Sequence, residues 1–432
     1  MDTIFALSSG GLPSGVAIIR VSGPGSRFAI ETITDVPCPA RVATLAVLRD
    51  PKTAREVDRG LILWFPGPNS FTGEDCAEFH LHGGPAVVSA MYGVLDGLEG
   101  LRIAEAGEFS KRAFENGKLD LTEIEGLADL ISAETSMQRE IAFRQYSGAL
   151  RETMEDWRSR VIRLRAMVEA DLDFSDEEDV PGSVADNVWE DAGSLSSEMS
   201  KFLDDDNRGE IVRVGFQIVL LGKPNSGKSS LINALAKRDV AIVSDEAGTT
   251  RDLLEAHLDL SGYPVTIVDT AGIREAAGKV EQEGVRRARE RASRANLVLW
   301  LTEGKQAPES VGEAFECPVL HFNSKDDAGE FGESGISVIS ENGLDNLIDS
   351  VTKVVRNHLG SLETAPITRE RHRSLLKNCA NQLARACGAV DAPIEIRAEY
   401  LREAGYCLGR ITGAVDVEDL LDVIFSEFCV GK

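Results

Sequence analysis

The sequence is poor in the features that would place it in a membrane or an oxidising compartment. No run of about 18 apolar residues, the length a spanning helix needs, occurs among its 432 residues. The opening MDTIFALSSGGLPSGVAIIRVSG lacks the basic start and cleavage pattern of a signal peptide, so the expectation is a cytoplasmic protein without a membrane role. Seven cysteines (Cys38, Cys76, Cys317, Cys379, Cys387, Cys407, Cys429) are scattered, odd in number and free of any C-x-x-C pair. That argues against a disulfide framework or a zinc ribbon and for reduced thiols. Positive charge is scarce as well: 46 Lys and Arg against 71 Asp and Glu leave a formal net charge of −25. Most of such a surface repels nucleic acid, so any RNA must be held by a local basic patch or by a partner. What is present, 43% hydrophobic and 27% charged residues, reads as two or three globular domains, each with its own core.

Composition separates four stretches. Residues 1–118 alternate strand-like runs such as GVAIIRV and RGLILWF with Gly and Pro turns, which predicts a compact α+β unit. From residue 119 to 211 the period becomes helical: Trp157, Val161, Leu164, Val168 and Leu172 recur at spacings of three and four and share one helix face. The acidic DFSDEEDVPG that follows predicts a solvated loop ending that helix at Pro181. Residues 212–365 alternate apolar strands (FQIVLLG, YPVTIVDT, ANLVLWLTE, PVLHF) with helical segments, the pattern of a parallel α/β sheet. Helical period returns over 366–432, with Leu375, Cys379, Leu383 and Cys387 on one face. Helix before and helix after imply that the α/β unit is inserted into a helical one.

Between FQIVLLG and the next helix lies GKPNSGKSS, Gly222 to Ser230, which fits G-x-x-x-x-G-K-[ST]. Glycines let backbone N–H groups fold round phosphate oxygens, Lys228 reaches the β and γ phosphates, and Ser229 offers a hydroxyl to Mg²⁺. The strand PVTIV runs into DTAG, Asp269 to Gly272, whose carboxylate can hold a Mg²⁺-bound water and whose glycine N–H can sense the γ-phosphate. Between them GTTRD puts Thr250 where it can close on the metal when triphosphate is present.

Guanine presents two donors that one carboxylate can accept, and here the strand PVLHF leads into NSKDD. Two registers fit N-K-x-D imperfectly: Ser324-Lys325-Asp326-Asp327 loses the Asn, and Asn323-Ser324-Lys325-Asp326 loses the Lys. The first is preferred, because the Lys stem packs on the base and Asp327 supplies both acceptors. Ser337 and Val338 in ISVISENGL read as a fifth base-contacting loop. Ile273 stands where Ras-like proteins carry the water-orienting Gln, so hydrolysis must borrow polar groups, and Glu275, Glu281 and Glu283 are the nearby carboxylates.

These residues, with DTIFAL, SFTGEDCAEFHLHGGPAVV, AEAGEFSKRAFENGKLDLTEIEGLADLI, DTAGIRE and the ending ITGAVDVEDLLDVIFSEFCVGK, resemble the MnmE (TrmE) family of tRNA-modification GTPases over nearly the whole chain. The resemblance implies a multidomain α/β protein: an N-terminal α+β folate-binding domain that forms the homodimer, a helical domain, and an inserted Ras-like P-loop GTPase domain. It implies GTP, Mg²⁺ and K⁺, and a tetrahydrofolate derivative, 5-formyl- or 5,10-methylene-tetrahydrofolate. It also implies an FAD-dependent MnmG (GidA) partner in a heterotetramer or larger complex. Together they would install a (carboxymethyl)aminomethyl-type group on C5 of the tRNA wobble uridine.

By position, the GTP contacts fall on Asn225, Ser226, Gly227, Lys228, Ser229 and Ser230; on Ser244, Asp245, Glu246, Ala247, Gly248, Thr249 and Thr250; on Asp269, Thr270, Ala271 and Gly272; and on Ser324, Lys325, Asp327, Ser337 and Val338. The resemblance puts Mg²⁺ on Ser229 and Thr250, K⁺ on Asn225, Ser244, Glu246 and Thr249, and the water-orienting carboxylate at Glu281. Folate contacts fall on Arg20, Glu78, Lys118 and Lys432, a mix suited to a pterin donor edge and a glutamate tail. His80 and His82 are too few for a metal and read as packing or pocket polar groups. The ending CVGK is a poor prenylation box. The resemblance makes it part of the active centre, with Cys429 either nucleophile or pocket wall. The alternative reading is an RNA-binding switch GTPase of ribosome assembly, against which stand the acidic charge and the absence of a basic RNA motif.

Overall fold

The computed structural model describes residues 2–173, 184–223, 225–238, 240–242, 255–269, 295–303, 315–360, 366–415, 417, 421, 424–425 and 431. The chain divides into two compact units, 1–128 with 409–432, and 129–408. Among the described residues no helix is long and apolar enough to cross a membrane.

The first unit is built on a six-stranded sheet. In chain order its elements are β1 (Thr3–Leu7), β2 (Ser14–Ser22), α1 (Ser26–Ile33), β3 (Thr44–Arg49), β4 (Glu56–Phe65), β5 (Cys76–Gly83), α2 (Pro85–Asp96), β6 (Leu101–Ile103) and α3 (Glu108–Glu115), with α4 (Leu121–Ser132) leading out. The strand order is β3-β4-β5-β2-β1-β6, antiparallel except for the β1–β6 pair. Strand alternation decides the two faces. Ala17, Ile19 and Val21 of β2 and Ala77, Phe79 and Leu81 of β5 are buried, together with Ile30 and Ile33 of α1 and Met91 and Leu95 of α2. The intervening residues, Arg20, Glu78, His80 and His82, therefore lie on the opposite face. Register sets Arg20 directly across from Glu78.

The second unit opens with α5 (Ser136–Tyr146), started by a capping box in which Thr135 and Gln138 satisfy each other's backbone N–H groups. Next come α6 (Ala149–Asp173), α7 (Val184–Leu203) and α8 (Arg208–Val214). Trp157, Val161, Leu164 and Val168 are buried along α6, as their spacing predicts, whereas Leu172, near the helix end, is only half-buried. The acidic loop predicted to end that helix at Pro181 lies, from residue 174 to 183, outside the described residues.

Then follow β7 (Phe216–Gly222), α9 (Lys228–Leu235), β8 (Glu255–Leu260), β9 (Tyr263–Asp269), β10 (Leu297–Glu303), β11 (Val319–Ser324), β12 (Gly335–Ile336) and α10 (Leu344–Leu359). Their sheet has the order β12-β11-β10-β7-β9-β8 and is parallel except for the β8–β9 hairpin. The chain leaves it into α11 (Glu370–Gly388) and α12 (Ile394–Thr412). On α11 the buried stripe is His372, Leu376, Cys379, Leu383 and Ala386, whereas Leu375 and Cys387 are only half-buried. Steps of four residues advance about 40° round a helix each time, so a row spaced 4-4-4 drifts off the face that a 4-3-4-3 row keeps. The stripe packs on α7, where Ser196 Oγ donates to the Ala380 carbonyl at 2.9 Å.

Candidate functional site

The phosphate loop occupies the turn from β7 to α9. Asn225 at φ 63° and Gly227 at φ 86° take left-handed backbone there, a conformation that recurs in anion-binding loops. A Cβ on Gly222 would sit 2.5 Å from the Leu301 carbonyl of neighbouring β10, so the loop can pass this strand end only as glycine. Lys228 is buried and curls back: its ammonium donates to the carbonyls of Gly222 and Lys223, each at 2.9 Å. Ser229 is exposed in the first turn of α9, and its hydroxyl donates to Asp269 Oδ2 at 2.7 Å. Asp269, 2% exposed, is delivered by the end of β9, which the strand order sets beside β7. A hydroxyl and a carboxylate in contact at a helix N-terminus are hard oxygen donors that can hold a divalent cation next to phosphate. Ser226 is buried in the loop and Ser230 exposed on the helix.

At the end of β11 the NSKDD stretch separates into structural and available groups. Asn323 is occupied, accepting from Thr302 Oγ1 at 2.9 Å and donating to Ser334 Oγ at 3.1 Å. Ser324 is buried and donates to the Thr302 carbonyl at 3.0 Å. Asp326, 3% exposed, accepts the backbone N–H groups of Glu330 and Phe331 at 2.7 and 3.0 Å and so ties its own loop. Asp327 is exposed; one oxygen accepts the hydroxyl of fully buried Ser337. Ser337 in turn accepts the N–H groups of Ile339 and Ser340, so the two loops are fastened together while the other Asp327 oxygen has no partner among the described residues. Lys325 lies exposed with its ammonium 3.0 Å from Glu303, and Val338 packs against the core.

In the first unit, Arg20 donates through Nε and Nη2 to Glu78 Oε1 at 3.1 and 3.0 Å. Its guanidinium lies over the rings of Phe71, 4.9 Å from the centroid, and Phe109, 5.8 Å. His80 places Nε2 3.4 Å from the other Glu78 oxygen. Lys118 is exposed, with its stem against the loop that carries Phe71: a Cβ on Gly73 would meet Lys118 Cγ at 3.2 Å. Asn116 holds the same loop by donating to the Thr72 carbonyl at 2.8 Å. Behind it, Arg112 joins Asp2, Glu74 and Glu108. Burial alone would raise the Glu108 carboxyl, but hydrogen bonds from Arg102, the Glu105 N–H and Arg112 hold it below the usual range. Phe71 and His80 lie in SFTGEDCAEFHLHGGPAVV and Phe109 in AEAGEFSKRAFENGKLDLTEIEGLADLI, stretches that carry the resemblance, but nothing in either stretch pairs them with Arg20 or Glu78.

Ser244, Asp245, Glu246, Ala247, Gly248, Thr249, Thr250, Thr270, Ala271, Gly272, Glu281, Cys429 and Lys432 lie outside the described residues. Among the described residues no group of three or more His, Cys, Asp or Glu side chains could hold a metal. His82 pairs instead with Asp58, Nδ1 to Oδ1 at 2.8 Å.

The profile of the MnmE helical domain matches residues 121–429, and that of the GTP-binding protein TrmE N-terminus matches residues 3–118. Curated relatives include the tRNA modification GTPases MnmE of Brucella canis, 52% identical over 437 residues, and of Brucella anthropi, 50% identical over 436. Each alignment covers 100% of this chain and 98% of the relative. Among solved structures, the FeoB G-domain of Methanococcus jannaschii aligns at a TM-score of 0.26 and 20% identity. It covers 33% of this chain and 98% of that one, a likeness too slight to carry an argument.

Proposed function

The chain belongs to the MnmE family of tRNA modification GTPases, and we propose that it uses GTP hydrolysis to drive folate-dependent modification at C5 of the tRNA wobble uridine. The reading is carried by two chemically different sites on one chain: a phosphate loop with a hydroxyl–carboxylate pair, and a half-buried arginine–glutamate pair on the sheet face opposite the main core of the first unit.

At the first site, Lys228 exchanges its two carbonyl partners for phosphate oxygens when GTP enters. Ser229, with Thr250, would hold Mg²⁺, and Asp269 would accept from a water on it. When bound, Mg²⁺ and K⁺ supply positive charge against the charge that develops on the transferred phosphoryl group. Exposed Asn225, whose amide oxygen is a suitable hard donor, would hold K⁺ with Ser244, Glu246 and Thr249. Asp327 accepts the two guanine donors, and the stem of Lys325 covers the base. Glu281 orients water in place of the Gln that Ile273 replaces.

At the second site, Glu78 accepts from the donor edge of a pterin, with Arg20 holding the carboxylate in place between two aromatic rings. Lys118 and Lys432 meet the glutamate tail of a 5-formyl- or 5,10-methylene-tetrahydrofolate, and Cys429 belongs to the same centre. The domains run 1–118, 119–211 with 366–432, and 212–365. The open face of the first sheet carries exposed Val16, Leu45 and Leu61, the last two opposite each other across β3 and β4, which supports homodimerisation through this face. An FAD-dependent partner of the MnmG type completes the reaction in the cytoplasm.

Nucleoside mass spectrometry of total tRNA, from cells lacking the gene and from the same cells carrying it, tests the proposal. The C5 aminomethyl-type uridines should disappear and return with the gene. An unchanged uridine profile would overturn it in favour of a ribosome-assembly switch.

A further inference from the structure

Arg20 and Glu78 oppose each other across β2 and β5, yet their contact fixes only half of the carboxylate. Arg20 Nε and Nη2 both donate to Oε1, at 3.1 and 3.0 Å. Two donors on one oxygen occupy its lone pairs and leave a pivot, because the carboxylate can still turn about Oε1. Nothing in that contact sets where Oε2 points. Among the described residues Oε2 accepts no hydrogen bond, but His80 Nε2 stands 3.4 Å from it.

That nitrogen has no other use. His80 Nε2 is shut off from solvent and without a hydrogen-bond partner among the described residues. His80 follows Glu78 by two positions in β5, so strand period puts both side chains on one face. Its backbone is held from both sides, by Ile18 of β2 and Leu61 of β4. A Cβ on Gly60 would lie 2.1 Å from the His80 carbonyl oxygen, so β4 closes on this residue only because position 60 is glycine. The imidazole is therefore presented from the middle of a sheet, where backbone does not shift to suit a ligand. A buried ring nitrogen without a partner costs free energy, and a small turn of the ring toward Oε2 removes that cost. With its proton on Nε2, the ring donates there to a charged acceptor, the stronger kind of hydrogen bond.

We propose that His80 is a positioning residue for Glu78: its Nε2–H fixes Oε2 as Arg20 fixes Oε1, and so holds the carboxylate in one plane with an Oε2 lone pair turned to the N–H donors of the ligand. Arg20, Glu78 and His80 then act as one unit beside Phe71 and Phe109. The inference rests on the folate reading above, but the state of the imidazole can be measured without folate.

The full-length chain is compared with its His80→Leu, His80→Gln, Glu78→Gln and doubly altered His80→Leu/Glu78→Gln variants by equilibrium dialysis against 5-formyl-tetrahydrofolate. Loss of one hydrogen bond predicts that His80→Leu binds about three- to tenfold more weakly. His80→Gln, whose amide carries an N–H near the place of the imidazole one, should bind as the unaltered protein. Because His80 acts through Glu78, His80→Leu should cost nothing further once Glu78→Gln is in place. Beside dialysis, a proton–nitrogen correlation spectrum of the histidine-labelled chain reads which ring nitrogen of His80 carries the proton, with His80→Gln assigning the signal. Unchanged affinity in His80→Leu would overturn the proposal. Equal losses in His80→Leu and His80→Gln, or a double variant weaker than Glu78→Gln alone, would overturn it too, since either makes the ring a packing group. A ring protonated only on Nδ1 would do the same. An Nε2–H signal that shifts in Glu78→Gln, in a chain that binds no folate, would uphold the contact and overturn the folate reading.

Discussion

Asp326 and Asp327 are the same residue type at adjacent positions, and burial gives them different work. Asp326 is enclosed and spends both oxygens on backbone N–H groups, so its removal strands two donors inside the loop. An unsatisfied buried donor costs roughly 1–3 kcal/mol, and Asp326→Ala should lower the thermal midpoint by several degrees. Asp327 is exposed and holds one oxygen in reserve, but its other oxygen accepts the buried Ser337 hydroxyl, so Asp327→Ala should lower the thermal midpoint too, by less than Asp326→Ala, which strands two donors. Its larger effect is on GTP, whose affinity should fall about 10- to 100-fold, since hydrogen bonds to a charged group contribute roughly 1.5–3 kcal/mol. Titration with a fluorescent GTP analogue beside thermal melts separates the two. The idea fails if Asp326→Ala loses affinity and keeps its stability.

At the scale of elements, the critical contact is the crossing where the chain enters and leaves the α/β part of the second unit. Gly209 in α8 lies against residue 367 of the outgoing segment: a Cβ would be 2.0 Å from the Ile367 oxygen and 2.7 Å from its carbonyl carbon. Arg373 closes the same joint from α11, reaching Glu210 at 2.6 Å, Asp205 at 2.7 Å and the Leu203 carbonyl at 3.0 Å. Backbone is met by backbone here, and no side-chain rotation can make room. Gly209→Ala should therefore destabilise the chain by about 1–3 kcal/mol, the usual cost of overpacking, as read by urea unfolding. A variant as stable as the parent would show that the two segments are not held in contact in solution.

For the whole molecule the governing quantity is a net charge of −25. Phosphate contacts supply most nonspecific affinity for RNA, and an acidic surface opposes them at every distance within the Debye length. The chain alone should bind tRNA no more tightly than the roughly 10⁻⁴–10⁻⁶ M typical of nonspecific binding. Filter binding at physiological salt, with and without the proposed FAD-dependent partner, checks this, and tightening should require that partner. Tight binding by the isolated chain with a steep salt dependence would contradict it.

Local pattern was enough for the elements and for the nucleotide loop. Alternation in AEFHLHG set Glu78 away from the apolar face, whereas GVAIIRV is apolar on both faces and carried no such signal for Arg20; helical spacing placed Trp157, Val161, Leu164 and Val168 inside, though not Leu172, because a period is written in neighbouring residues. The phosphate loop was equally legible, since its chemistry needs glycine, lysine and serine at fixed offsets within nine residues. The sequence offered two registers and preferred the one that uses Asp327; that Asp326 is buried with both oxygens on backbone N–H groups while Asp327 is exposed was visible only in the structure. It held Arg20 and Glu78, 58 residues apart, as separate charges, and only strand register made them a pair. It gave no sign that the Ser8 hydroxyl meets the Gly431 carbonyl. By itself, then, the chain determined which way side chains face where one period runs clear, a property of the backbone. The tertiary structure alone decided which faces meet, because partners across a sheet or from opposite chain ends depend on register and chain closure.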